Sequence, residues 1–281
     1  MHFFANMNTL ICVASIAIGL VAATPICSDV AGGGLPNSGR PLLLSPAAVK
    51  DLQLALFLEN LEVAYFSSGL SNITMWGING YPNDTIGVQK EIHVATIIDL
   101  LEAYNEIPIP PCNYSFPVNS TEQFFELADI ITSVGIGATI GLAKRLAFTD
   151  PLLIKPVASI LAVESRHDAF FRHIEGEVPN PAPSDTGISS IWAYNFALSF
   201  IDPAQMTFIA EAGKQLLVGW VNQLDVPVYT PLNITVKGQG TALVPQGMNG
   251  AAFAVVTTQR LDNADDLALA TLAGPVVVKL S

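Results

Sequence analysis

The sequence predicts a mainly α protein, a bundle of long helices with an extra helix and a small antiparallel β appendage at its C-terminal end. Three observations carry that expectation. Apolar segments of helix length alternate with Gly-, Pro- and Asn-rich breaks from residue 45 to about 200. Helix-start signals stand where those segments begin. After Pro227 the chain changes to short β-branched runs divided by Gly and Asn. With 281 residues, 51% of them hydrophobic, the chain can bury a full-sized core.

Each element has its own reason. Ser45-Pro46 pairs a cap with proline at the first helical position, and helical sequence follows to about Leu70. The break "GINGYPND" leads to a second segment around 85–106, ended by "PIPPC". Ser120 and Gln123 make a capping-box pattern, opening a third segment that runs to about Phe148. Asp150-Pro151 opens a fourth, reaching about Ile174, in which Pro156 is tolerated only near the first turn. A fifth, aromatic-rich segment spans about 189–200. "LNITVKG", "AAFAVVTTQ" and "PVVVKLS" read as strands. The organisation is a signal peptide at 1–23, an irregular leader at 24–44, a helical bundle at 45–225 and a β appendage at 226–281.

The N-terminus reads as an address. "LICVASIAIGLVAA" (10–23) has the length of a signal-peptide core, with Val21 and Ala23 placed for cleavage near Thr24. It is short for a membrane span, and the other long apolar run, "ITSVGIGATIGLA", stops at Lys144 and Arg145. No transmembrane segment is therefore expected in the mature chain, which should be secreted. Five Asn-x-Ser/Thr sequons fit that route, at Asn72, Asn83, Asn113, Asn119 and Asn233. Cys12 would leave with the signal, so Cys27 and Cys112 remain as a candidate disulfide. A net charge of −12 from only 12 basic residues argues against a nucleic-acid partner and against a basic lipid-binding stripe.

The chemistry begins in "FLENLEVAYF" (57–66). Glu59 and Glu62 stand three apart among core-forming residues, so both fall on one stripe of a helix. Carboxylates buried there need a partner or a metal. The second helix offers His93 in "KEIHVATI". The fourth offers Glu164 and His167 in "AVESRHDAFFR", a Glu-x-x-His pair that presents carboxylate oxygen and imidazole nitrogen to one point. Iron and manganese accept such ligands. The alternative is a metal-free charge network that includes Lys90 and Arg166.

The ordered set "LALFLENLEVAYF", "EIHVATI", Cys112 with Tyr114-Ser115-Phe116-Pro117, "SVGIGATIGLA" and "ILAVESRHDAFFR" resembles a family of secreted ferritin-like-domain proteins. That family includes fungal stress- and sexual-development-associated proteins and plant desiccation-related proteins. The resemblance covers roughly residues 45–225 and implies a ferritin-like four-helix bundle with a long crossover between its second and third helices. Ferritin-like metal centres take a Glu from the first helix, Glu-x-x-His from the second, Glu from the third and Glu-x-x-His from the fourth. Glu59, His93, Glu164 and His167 match. Lys90 stands where the second-helix Glu is wanted, and Glu91, two residues before His93, lies about 200° around the helix from that histidine and points elsewhere. The third helix offers Ser133, Gly135 and Gly137 in place of its Glu, and Glu62 is a partial substitute.

Other chemistries find no support. Gly-x-Ser-x-Gly and phosphate-loop patterns are absent, and "LDNADDLA" lacks the spacing of a calcium loop. Trp76, Trp192 and Trp220 read as core or rim aromatics, and Arg172 and His173 as basic residues at a helix end. Two function classes remain. One is a secreted, glycosylated protein of stress or developmental type, non-catalytic or with a degenerate metal site, that acts by protection or interaction; the sequence names no protein or cell-wall partner for it. The other is an extracellular iron- or manganese-binding protein or oxidoreductase.

Overall fold

A computed structural model describes residues 28–36, 40–76, 85–201, 215–236 and 239–280. The expected signal peptide, Cys27 and Asn83 lie outside these residues. The helices are α1 (Ser28–Ala31), α2 (Pro46–Trp76), α3 (Thr85–Ala103), α4 (Thr121–Thr149), α5 (Ile154–Ile174), α6 (Ser190–Leu198) and α7 (Ala264–Leu269). The strands are β1 (Leu217–Asn222), β2 (Val228–Pro231), β3 (Asn233–Val236), β4 (Gln239–Thr241), β5 (Gly250–Thr257) and β6 (Ala273–Leu280).

The start signals act as the sequence suggests. Ser45 Oγ accepts from the Ala48 N–H at 3.0 Å, and Ser45 N–H donates to Asp150 Oδ1 at 3.1 Å, which ties the start of α2 to the end of α4. Ser120 Oγ accepts from the Gln123 N–H, while Gln123 Oε1 accepts from Asn119 N–H at 3.0 Å, one residue before the usual capping-box donor. Pro151 heads a short 3-10 turn that leads into α5, leaving Pro156 in the first turn, where its missing N–H costs no hydrogen bond.

Two core clusters fix the direction of the four bundle helices. Ala48, Leu52 and Leu56 at the start of α2 meet Ile97 and Leu101 late in α3, Leu142 and Leu146 late in α4, and Leu153 and Val157 before and within the first turn of α5. At the other end, Tyr65 and Phe66 of α2 meet Phe124 and Phe125 at the start of α4 and Phe171 near the end of α5. Helices α2 and α3 therefore run opposite ways, as do α4 and α5. The connection from α3 to α4 must return along the bundle. Its residues Ile109, Cys112, Tyr114, Phe116 and Val118 pack on the aromatic cluster, and Phe116 sits edge-on to Tyr65 with centroids 4.8 Å apart. Alternate residues of this crossover are exposed, as an extended strand lying on a surface requires.

Helix α4 is long and apolar enough to span a membrane by length and composition, but 56% of its most apolar window is buried, so its hydrophobicity is that of a core helix. The four-stranded antiparallel sheet has the order β2-β1-β5-β6, with β3-β4 as a separate hairpin. It begins earlier than the change of sequence after Pro227 suggests, because β1 lies within the stretch read as bundle. All six β1 residues are buried, so the strand lacks the alternation that marks a half-exposed one. The sheet does not stand apart. Val221, Phe253 and Val255 share a core with Val134 and Ala138 of α4, Trp192 of α6 and Leu267 of α7. The acidic "LDNADDLA" forms α7, with Asn263 as its cap.

Among the sequons, Asn113, Asn119 and Asn233 are exposed, and Asn72 falls near the end of α2. Cys112 is half-buried and unpaired among the described residues. Replacing Ser45 with Ala removes the α2 cap and the bond that Ser45 Oγ donates to Asp150 Oδ2, and leaves the backbone bond to Oδ1. The expected cost is about 1–2 kcal/mol, seen as a lower urea midpoint at unchanged slope.

Candidate functional site

The centre of the bundle is a buried cluster of charges supplied by three helices. Lys90 of α3 is fully buried and its Nζ forms ion pairs with Glu62 Oε2 of α2 and Glu164 Oε2 of α5. One turn further along α3, His93 Nδ1 lies 3.1 Å from Glu164 Oε1 and 3.4 Å from Glu59 Oε1. His167 Nδ1 lies 3.6 Å from Glu164 Oε2, while its Nε2 is 2.7 Å from Gln89 Oε1. Phe66 closes one side, with Lys90 Nζ 6.0 Å from its ring centre. The helical spacing explains the convergence: 59/62, 90/93 and 164/167 each place two side chains on one face.

The sequence-predicted residues Glu59, Glu62, Lys90, His93, Glu164 and His167 are thus brought together. Arg166 is not. It is exposed, because two residues beyond Glu164 the helix has turned to its solvent side. Gln89 joins the cluster unannounced, since an amide beside a charged motif gives no pattern to recognise.

Glycine makes the space on α4. A Cβ built on Gly135 would lie 2.7 Å from Glu62 Oε1. Gly135, one of the α4 positions weighed for a third-helix ligand, therefore has no side chain, and Glu62 of the neighbouring helix occupies the room.

The electrostatics follow from burial against pairing. Burial would depress Lys90, but Glu164, Glu62 and Glu59 hold it above its ordinary value. Burial would likewise depress His93, yet Glu59 and Glu164 raise it to about 10. Burial would raise Glu164, but Lys90, His167 and His93 hold it well below the usual carboxylate range. For Glu62 burial wins over Lys90, aided by the other carboxylates, and pushes it up to about 8. Burial lowers His167, with Lys90 and His93 adding to the effect against the pull of Glu164. Two cations, Lys90 and His93, therefore face two carboxylates and a third that carries a proton. The cluster is close to neutral.

The atoms facing the far side of this cluster are candidates for a metal. Single oxygen or nitrogen atoms of Glu59, His93 and Glu164 lie within 4.8 Å of one another. Glu59 Oε2, His93 Nδ1, Glu164 Oε1 and His167 Nδ1 are buried without an aligned hydrogen bond. These donors suit one divalent cation. They do not suit two, because the ammonium of Lys90 stands between Glu62 and Glu164.

A second buried cluster lies where α4 and α5 meet β6. Arg172 stands in the last turn of α5, as its sequence position suggests, but it is buried there: it is 2% exposed, its Nε donates to Val178 O at 2.8 Å and its Nη2 is 2.8 Å from Glu177. Lys279 Nζ reaches Asp129 at 2.6 Å and also pairs with Glu175. Asp168 accepts from Ser133 Oγ at 3.0 Å, and burial together with Asp129 pushes it up to about 8. Lys279 is 104 residues from Glu175, so no local spacing announces this pairing.

Residues 47–177 match the family model of the ferritin-like domain. The chain carries a ferritin-like domain, and the bundle with its long crossover is that domain. Among solved structures it is similar to an open-pore ferritin of the hyperthermophilic archaeon Archaeoglobus fulgidus, with 15% identity over 47% of this chain and 84% of that chain, at a TM-score of 0.42. No curated protein sequence matches it significantly.

The pKa shifts set a pH dependence. Glu62 and His93 hold protons when folded that the unfolded chain releases, so stability falls as pH rises. The Glu62 part is complete below its ordinary 4.5 and is lost on the way to about 8; the His93 part is complete below 6.5 and is lost on the way to about 10. Asp168 acts in the same window as Glu62. Melting temperature should therefore decline across this range, and Glu62→Gln should flatten the part below pH 8. An unchanged slope in that variant would place the proton elsewhere.

Proposed function

We propose that the protein is a secreted, N-glycosylated, non-catalytic ferritin-like protein of stress or developmental type, whose bundle centre is held by a lysine in place of a metal ion. The buried Lys90 ammonium, paired with Glu62 and Glu164, carries this reading. It supplies the positive charge that a second cation would bring, from the position where the second-helix Glu is missing. The signal-like N-terminus, the five sequons and the family resemblance support the extracellular, stress-related part. Protection of other molecules, or interaction with cell-wall or protein partners, is the role such a stable bundle suits.

A second reading rests on the unaligned atoms of Glu59, His93, Glu164 and His167. Those residues would hold one iron or manganese ion. When bound it would supply Lewis-acid or one-electron chemistry. The chain's own part would be to hold Glu164 between the ion and Lys90, and to keep Gln89 on His167 Nε2 so that Nδ1 stays turned inward.

Metal analysis of protein purified from its secretory route separates the two. The first reading expects no stoichiometric iron or manganese; one ion per chain would establish the second. Intact mass before and after glycosidase treatment tests export, with a new terminus near Thr24 and loss of glycan mass expected.

Substitution at Lys90 tests the lysine's role. Lys90→Met leaves the buried Glu164 carboxylate without the cation that pairs with it and should cost about 3–5 kcal/mol. Lys90→Glu restores the second-helix Glu-x-x-His, so its melting temperature should be low without metal and rise with added Mn2+ or Fe2+. A folded Lys90→Glu protein indifferent to metal would overturn the derivation of this centre from a metal site.

A further inference from the structure

One face of the central cluster opens into a cavity that the charge network does not use. It has a volume of about 380 Å3 and lies between α3 and α5, beneath the segment 31–36. Its walls are mostly hydrocarbon, from Ile92 of α3, Pro156, Ile160 and Val163 of α5, and the bare backbone of Gly32–Gly34. Gln89 Nε2 donates to Ala31 O at 3.1 Å, which fastens the covering segment to the same side chain that meets His167.

His93 forms part of this wall. The residue is 6% exposed. Its Nδ1 faces Glu164 and Glu59, whereas its Nε2 makes no hydrogen bond among the described residues. An imidazole whose Nδ1 side is turned to carboxylates, with either a proton or a cation there, presents Nε2–H as a donor. An unpartnered donor in the wall of an apolar cavity selects a molecule with an acceptor at one end.

We propose that this cavity binds a small apolar molecule bearing one uncharged oxygen head group, an aliphatic alcohol or ketone. The hydrocarbon lies along Ile92, Ile160 and Val163, and the oxygen accepts from His93 Nε2. A carboxylate head group is disfavoured because the apolar walls would strip the water from its charge, and a cluster close to neutral has no net positive charge to offset that cost. The proposal does not depend on whether the Nδ1 side holds a metal, so it stands or falls apart from the readings above.

Calorimetric titration of the full chain with hexanol, octanol, decanol, decane and decanoate tests it. Affinity should rise about fourfold per methylene along the alcohols until the cavity is filled. Decanol should bind a few-fold to tenfold more tightly than decane, the worth of one hydrogen bond. Decanoate should bind more weakly than decanol. Ile160→Trp fills the cavity from α5 without touching the charges and should abolish alcohol binding at unchanged melting temperature. His93→Phe, if folded, should equalise decanol and decane. Absence of binding by every alcohol, equal affinity for decanol and decane, preference for decanoate, or undiminished binding in Ile160→Trp would each overturn the proposal.

Discussion

A buried ammonium must have its counter-charges in place, and that requirement at Lys90 organises the bundle. Few locations in a protein are as costly for an unpaired cation as the centre of four apolar helices. Lys90 avoids the cost only if α2 delivers Glu62, α5 delivers Glu164, and α3 sits in the one rotation and height that places Nζ between them. The hydrophobic clusters at both ends set the directions of the helices, and the charge triad adds a requirement on their register. Specificity of register is the best-attested use of buried polar groups, and here it links three of the four helices.

The fourth helix contributes by absence. Gly135 leaves room that Glu62 fills, so the loss of a side chain on α4 and the inward turn of a carboxylate on α2 are complementary halves of one arrangement. Lys90 completes the exchange. A centre of the ferritin-like pattern carries negative ligands around positive ions; this one carries some of the same ligands around a positive charge that is part of the chain. His93 takes a similar role for Glu59 and Glu164. The protonated Glu62 then leaves the cluster near neutrality, the condition a low-dielectric interior favours.

Much of this was legible in the sequence, and the reasons are local. Helices α2 to α6 announce themselves by caps, prolines and apolar length, and Glu59/Glu62, Lys90/His93 and Glu164/His167 share faces because three residues make nearly one turn. What escaped depends on tertiary placement. Arg166 has the right charge beside the right motif but the wrong rotation. Gln89 has no charge to draw attention. Strand β1 is buried on both faces and so shows no alternation. Arg172 does stand at the end of α5, but its burial was not legible, because its partners, Asp129 and Glu177, and the neighbouring Lys279 converge only after the sheet has docked. Pairings across such distances have no period.

Lys279 has a consequence for the order in which the molecule can be made. Asp129, Glu175 and Glu177 leave the ribosome well before the lysine that reaches Asp129 and Glu175. During vectorial synthesis the four bundle helices are complete while this acidic end still lacks half of its counter-charge, with Arg172 alone to offset it. The nascent bundle is therefore an electrostatically unfinished intermediate, and arrival of the terminal strand closes it. Folding of the helical part and docking of the sheet are coupled through that side chain as well as through the apolar core that Val134 shares with Val221 and Phe253, so truncation ahead of Lys279 should be felt at the bundle and not only in the sheet.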